Sequence, residues 1–214
     1  MQGTATRFRG LTLLEVAISV TLLVVMILPL YLLMMRSRES VGQASHYRLA
    51  RTAVESVIER MRAQANAADT GTNPPSFETL VQVWAQPRAS APPWTNVLSI
   101  HPRSGEAAQG LPGNRFWVRG LPDRLVGGVV TPHGEVVFPT TPAFPAAPTG
   151  IDETIYGLDL DGDGGALEPS IPVTGKYRVM PVRVRVFWGD STTPKYEVEA
   201  IISKRSNYLR ENES

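Results

Sequence analysis

The stretch Asp159-Leu-Asp-Gly-Asp-Gly-Gly165 places three carboxylates at alternate positions, with glycines between and after them. Carboxylates in this pattern are hard oxygen donors, and the glycines permit a sharp turn, so the run matches the first half of a calcium loop. Asp159, Asp161 and Asp163 would supply ligands and Gly164 the turn. A full loop of this kind expects a bidentate glutamate where Ser170 stands, and Glu168 comes two residues early. Glu168 or a backbone carbonyl would have to close the site. Calcium is the one cofactor suggested; the competing reading is an acidic, glycine-rich hairpin turn that holds no ion. Other reactive chemistry is sparse. His46 falls in a helical pattern, while His101 and His133 sit beside prolines, with no nucleophile motif, phosphate loop or zinc spacing near any of them. The absence of cysteine excludes disulfides, thiolate metal sites and cysteine nucleophiles. The chain is not expected to be an enzyme. Its 21 basic and 20 acidic residues leave a net charge of +1, so no nucleic-acid partner is expected either.

A fourth carboxylate stands apart. From Leu11 to Met35 the only charged side chain is Glu15, in a stretch of 25 residues. At about 1.5 Å per residue that exceeds a hydrocarbon core of roughly 30 Å. Arg7 and Arg9 precede the run and Arg36 and Arg38 follow it, so flanking charge does not decide orientation. A cleaved secretory signal would have a shorter apolar region and a small-residue cut site after it, whereas Tyr31-Leu-Leu-Met-Met-Arg36 follows here. An ionised Glu costs about 2.5 to 3.5 kcal/mol at the centre of a membrane helix and less near its end. One reading is that Glu15 is favoured by the positive helix terminus and snorkels to the headgroups. Another starts from Gly10, between the basic leader and the apolar run. A cut after Gly10 makes Leu11 a new N-terminus, with Glu15 one helical turn away, and the carboxylate of one subunit can then neutralise the amine of its neighbour.

Arg9-Gly10-Leu11-Thr12-Leu13-Leu14-Glu15-Val16 resembles the class III signal of type IV pilins and of the pseudopilins of type II secretion. The shared features are a short basic leader, a glycine before the cut, an apolar stretch and a glutamate at the fifth mature position. The resemblance covers about residues 7 to 65. It implies that prepilin peptidase cuts after Gly10, that Leu11 becomes the N-methylated first residue, and that Glu15 carries the assembly role. Many members have Phe or Met where this chain has Leu11. The implied partners are other pilins or pseudopilins, met through the N-terminal helix, and the inner-membrane assembly platform. The implied location is the inner membrane with the head in the periplasm, and then the pilus or pseudopilus. The segments Val41 to Met61 and Val179 to Trp188 look most like V-type minor pilins and I-type pseudopilins.

These residues need a scaffold, and periodicity supplies one. Pro29 lies deep in the apolar run and removes the N–H that the Val25 carbonyl would accept, so a kink or local melting is expected. Beyond it Val41, Ala44, Tyr47, Ala50, Val54, Val57, Ile58, Met61 and Ala65 recur at three- and four-residue steps. The charged residues Arg48, Arg51, Glu55, Glu59, Arg60 and Arg62 lie mostly off that stripe, as in an amphipathic helix. Gly42 is a weak point. Residues 67–113 are rich in Pro, Ala, Gly, Ser and Thr and read as an irregular connection, with a short helix around Phe77 to Trp84. Trp84 and Trp94 either pin this connection to a core or bind a ligand.

Strand signals follow at Arg115 to Arg119, Leu125 to Val130 and Glu135 to Phe138. The clearest pair comes last. Met180, Val182, Val184, Val186 and Trp188 share one face, opposite Arg183 and Arg185; Tyr196, Val198, Ala200 and Ile202 do likewise, opposite Glu197 and Glu199. Gly189 to Pro194 supplies the turn of an antiparallel hairpin whose arginines face its glutamates. The expected fold class is α+β: a long N-terminal membrane-spanning helix packed on an antiparallel sheet, the type IV pilin fold. The expected organisation is leader 1–10, transmembrane segment 11–35, amphipathic helix 36–66, connection 67–113, sheet head 114–205 and tail 206–214. Two functions follow: a minor pilin or pseudopilin that enters or primes a filament, or a membrane-anchored periplasmic domain that binds a ligand or partner.

Overall fold

The computed structural model describes residues 12–66, 79–85, 94, 96–101, 106–138, 140–141, 150–155, 157–169, 171–172 and 177–203. Gly10, Leu11 and the tail 206–214 lie outside them. One helix, α1, runs from Leu13 to Ala65 and is continuous through Pro29 and Gly42. The chain divides into two compact units, one ending at Ser45 and the other beginning at His46. In the first unit every large apolar side chain from Leu13 to Met35 is exposed. A helix that is apolar all round requires an apolar surrounding, and α1 is long and apolar enough to cross a membrane.

In the second unit α1 becomes amphipathic. Ala50, Ala53, Val54, Val57, Ile58, Met61 and Ala65 are buried, and each larger aliphatic among them stabilises the fold by about 1.5 to 3 kcal/mol relative to exposure. The expected stripe is therefore buried from Ala50 onward, while Val41 and Tyr47 remain exposed. Arg51–Glu55 and Arg62–Glu59 ion pairs decorate the outer side; exposed pairs of this spacing contribute only about 0.3 to 0.5 kcal/mol.

The buried stripe shares its core with a five-stranded sheet of order β1-β2-β5-β9-β10. The strands are β1 (Val97–Ile100), β2 (Leu111–Val118), β5 (Gly134–Val137), β9 (Val179–Val186) and β10 (Tyr196–Ser203). The short helix expected near Phe77 is α2, Thr79–Trp84. β3 (Arg124–Val126) and β4 (Val129–Thr131) form a separate hairpin, and β6 (Thr140–Thr141), β7 (Gly150–Ile151) and β8 (Ile171–Pro172) a small three-stranded sheet. The β9–β10 hairpin has the expected register: Val184 faces Val198, Arg183 faces Glu199 and Arg185 faces Glu197. Arg185 Nε lies 2.8 Å from Glu197 Oε2, and Arg183 bonds both glutamates. The strand ends at Val186, and Trp188 is buried just beyond it.

Two features depart from the sequence reading. β1 lies inside the stretch read as irregular and runs parallel to β2, so the sheet is mostly rather than wholly antiparallel. Gly110, at φ 91°, permits the return, because a Cβ there would lie 2.5 Å from the Val97 carbonyl oxygen. The run Leu125 to Val130 is a tight hairpin, turning at Gly127 and Gly128 with φ of 59° and 79°. Two consecutive positive φ values match the twist of a two-residue hairpin loop. Within the sheet β2 and β5 pair Phe116 with Gly134, and the phenyl ring occupies the space a side chain at Gly134 would need.

Candidate functional site

Glu15 has a local partner. The Thr12 N–H donates to Glu15 Oε2 at 2.9 Å and the Thr12 hydroxyl donates to the same oxygen at 3.0 Å. In return the Glu15 N–H lies 3.3 Å from Thr12 Oγ1. This is a reciprocal capping box, which satisfies helix-terminal donors that would otherwise be orphaned at the end of an apolar helix. Thr12 was missed by sequence reasoning, although its signal, Thr-x-x-Glu before an apolar run, is written there. The capping atoms belong to Thr12 and Glu15, so a cut between Gly10 and Leu11 would leave the box intact. Gly10 and Leu11 themselves lie outside the described residues.

The acidic loop is built on a residue the sequence reading did not single out. Glu153, at the start of a 3-10 turn Glu153–Ile155, is 3% exposed. Its Oε1 accepts the Leu160 N–H at 2.5 Å and its Oε2 the Glu168 N–H at 3.0 Å. Leu160 is fully buried, and its carbonyl accepts the Arg178 N–H at 2.7 Å. Glu153 thus clips both ends of the loop to the core. Within the loop Asp159 accepts N–H groups from Gly162 and Gly164, Asp161 from Asp163, and Asp163 from Gly165. The Gly164 N–H, joined by that of Gly162, holds the Asp159 carboxyl below its usual range.

Glu153, Asp159 and Asp161 each place a carboxylate oxygen within 4.8 Å of the others. Asp163 and Glu168 are not in that group. Three anionic oxygens at this spacing repel one another, and a hard divalent cation would relieve the repulsion. The Arg178 side chain lies against Gly162 and brings a cationic group beside the loop. Burial, reinforced by Asp161 and Glu153, pushes the Tyr177 phenol up, so its hydroxyl stays protonated, 3.3 Å from the Ile171 carbonyl.

The tryptophans act as pins. Trp84 is buried and its indole N–H donates to Gln64 Oε1 at 2.8 Å. The Trp94 N–H donates to the Val130 carbonyl at 2.8 Å, with Arg115 over the ring. His133 is 4% exposed. Its Nδ1 accepts the Val118 N–H at 3.2 Å and its Nε2 faces the Pro122 carbonyl at 3.1 Å, an arrangement that needs the neutral ring protonated on Nε2. Burial holds its pKa below the ordinary value, with Arg124 adding to the depression and Asp123 opposing it. An unfolded histidine titrates near about 6.5, so stability is fully present above that pH and falls as pH drops toward the folded value. The expected outcome is a melting temperature lower at pH 5 than at pH 7.5. A His133→Gln variant, less stable throughout, should lose part of that dependence.

Compared with protein-family models, curated proteins and solved structures, the chain matches none.

Proposed function

We propose that this chain is a minor pilin or pseudopilin, stored in a membrane through α1 and drawn into a type IV pilus or a type II secretion pseudopilus after its leader is removed. The observation that carries the reading is Glu15, the lone carboxylate of the apolar run that opens α1, five residues after a glycine that follows a basic leader. An amphipathic continuation of the same helix on a mostly antiparallel sheet supports it. Hydrolysis of the Gly10–Leu11 peptide bond would give a Gly10 carboxylate and a Leu11 ammonium, which by the family resemblance is then methylated. Glu15 of one subunit would neutralise the Leu11 ammonium of a neighbour, fixing the axial register of packed helices. Burial makes that pairing selective, since an unmatched charge in an apolar bundle costs several kcal/mol.

Fractionation tests the reading. The chain is expected in sheared or purified filaments at low stoichiometry, and a Gly10→Val variant is expected to remain in the membrane fraction. Equal recovery of both in filaments would contradict it. The alternative, an anchored periplasmic binding domain, draws no support from Trp84 and Trp94, whose indole N–H groups are already engaged.

Within the same proposal, Glu153, Asp159 and Asp161 would hold calcium, with a shaped loop as the consequence rather than a reaction. Calorimetry with millimolar calcium should show binding heat that Asp159→Asn removes. No heat from the unaltered chain would leave the loop as an ion-free turn fastened by Glu153.

A further inference from the structure

The five-stranded sheet ends differently on its two sides. At β1 the outward backbone groups of Ser99 bond those of Gln109, at 2.6 and 3.2 Å. At β10 the described residues supply no such cover. The Phe187 N–H donates to the His133 carbonyl, so odd-numbered residues of β9 turn their backbone groups toward β5 and even-numbered ones toward β10. The partners of the even-numbered residues, Tyr196, Val198, Ala200 and Ile202, therefore bond β9. Glu197, Glu199, Ile201 and Ser203 turn their N–H and C=O groups outward, along an eight-residue strand without proline or bulge. An edge of that kind is a template for another strand.

Charge alternates from strand to strand across the sheet. Arg115 on β2 is paired with Glu135 on β5, Glu135 with Arg185 on β9, and Arg185 with Glu197 on β10. The next row pairs Arg183 with Glu199. Both rows end on a glutamate at the open edge, and the side chains of Glu197 and Glu199 are still 34% and 54% exposed. A further strand would have to meet them with arginine or lysine, because opposed unlike charges stabilise a cross-strand pair and like charges destabilise it. Beside the same edge is a cleft of about 450 Å³, lined by Glu59, Arg62, Ala63 and Asn66 around the end of α1 and by Ile201 and Ser203. It gives the alternate side chains of an added strand a place to sit.

We propose that the β10 edge receives an extended segment of a partner protein that carries arginine or lysine at every second position. Main-chain bonds to Glu197, Glu199, Ile201 and Ser203 hold the segment, and the two glutamates select it. A second copy of this chain does not fit. Pairing β10 with β10 would set two glutamate rows side by side with no cation between them. Among the described strands only β9 has arginines two residues apart, and it already has a neighbour on each side. The edge lies wholly in the unit that begins at His46 and needs nothing of the apolar run.

The run Val182 to Val186 of β9 supplies the probe, since it already complements β10 from the other side. A fluorescein-labelled peptide, Thr-Val-Arg-Val-Arg-Val-Thr, is titrated with the full chain in neutral-detergent micelles and followed by anisotropy. Saturable binding is expected, and about tenfold weaker binding when the arginines are replaced by glutamates. An added strand uses one of its two edges, so of two peptides N-methylated at the arginines or at the valines, one should bind about tenfold more weakly and the other like the parent. Ile201→Pro removes an outward N–H, a change an edge strand tolerates, and should weaken binding about tenfold with an unchanged circular dichroism spectrum. No binding at millimolar peptide, equal binding of the glutamate peptide, or equal binding of both N-methylated peptides overturns the proposal. So does undiminished binding to Ile201→Pro. A doubling of protein mass by light scattering that Ile201→Pro reverses means a second copy holds the edge, and also overturns the proposal.

Discussion

Replacing Glu15 with alanine should leave the chain folded and inserted in the membrane, yet absent from assembled filaments. Insertion should not suffer, because removing a carboxylate from a membrane helix lowers a cost of up to about 2.5 to 3.5 kcal/mol. Loss of the Thr12–Glu15 capping box costs about 1 kcal/mol, at the end of one helix only. The large term belongs to the assembled state, where a neighbour's ammonium would be buried without a partner at about 3 to 5 kcal/mol, enough to reduce incorporation more than a hundredfold. Glu15→Gln separates the two roles. Its amide oxygen can still accept the Thr12 N–H, but it carries no charge. If assembly depends on the charge pair, glutamine fails as alanine does; if the cap is the whole purpose of Glu15, glutamine assembles normally. Filament incorporation relative to membrane content, measured by immunoblot, reads the difference.

Gly134→Ala should damage the head severely for a single added methyl. An added Cβ would fall inside the Phe116 ring, and Phe116, on β2, is fully buried. The ring cannot move without repacking its neighbours, so the expected loss is about 1 to 3 kcal/mol or more, a large share of the stability of a typical domain. Phe116→Ala alone should cost about 3 to 5 kcal/mol through its cavity. The double variant should be less destabilised than the sum of the two, because the new methyl then enters space the ring has left. Urea unfolding of the four proteins tests this, and simple additivity would contradict the contact.

The parts of the fold legible in the sequence are those whose signal is local and periodic. Met180 to Val186 and Tyr196 to Ile202 alternate over enough residues to define both faces, and the facing arginines and glutamates fix the register. The stripe from Ala50 to Ala65 is equally plain. β1 was not, because four residues in a proline-rich stretch carry too short a period and its partner is reached through the Gly110 turn. Leu125 to Val130 read as one strand because apolar residues continue on both sides of Gly127-Gly128, where a half-buried hairpin would alternate. For the acidic loop, the sequence shows Asp159, Asp161 and Asp163 but not Glu153, whose oxygens bond residues 7 and 15 positions away. A carboxylate used that way leaves no motif. Thr12, by contrast, was within reach: a Thr three residues before Glu15 is the capping signal itself.

A subunit stored in a membrane, cut after Gly10 and assembled through Glu15 would carry a new N-terminus. The most direct test is the N-terminal residue of the protein recovered from membranes, read by intact mass and peptide sequencing. A chain that begins at Leu11, methylated or not, is the predicted result. A chain that still begins at Met1 would contradict it and leave Glu15 as the cap of an ordinary membrane anchor.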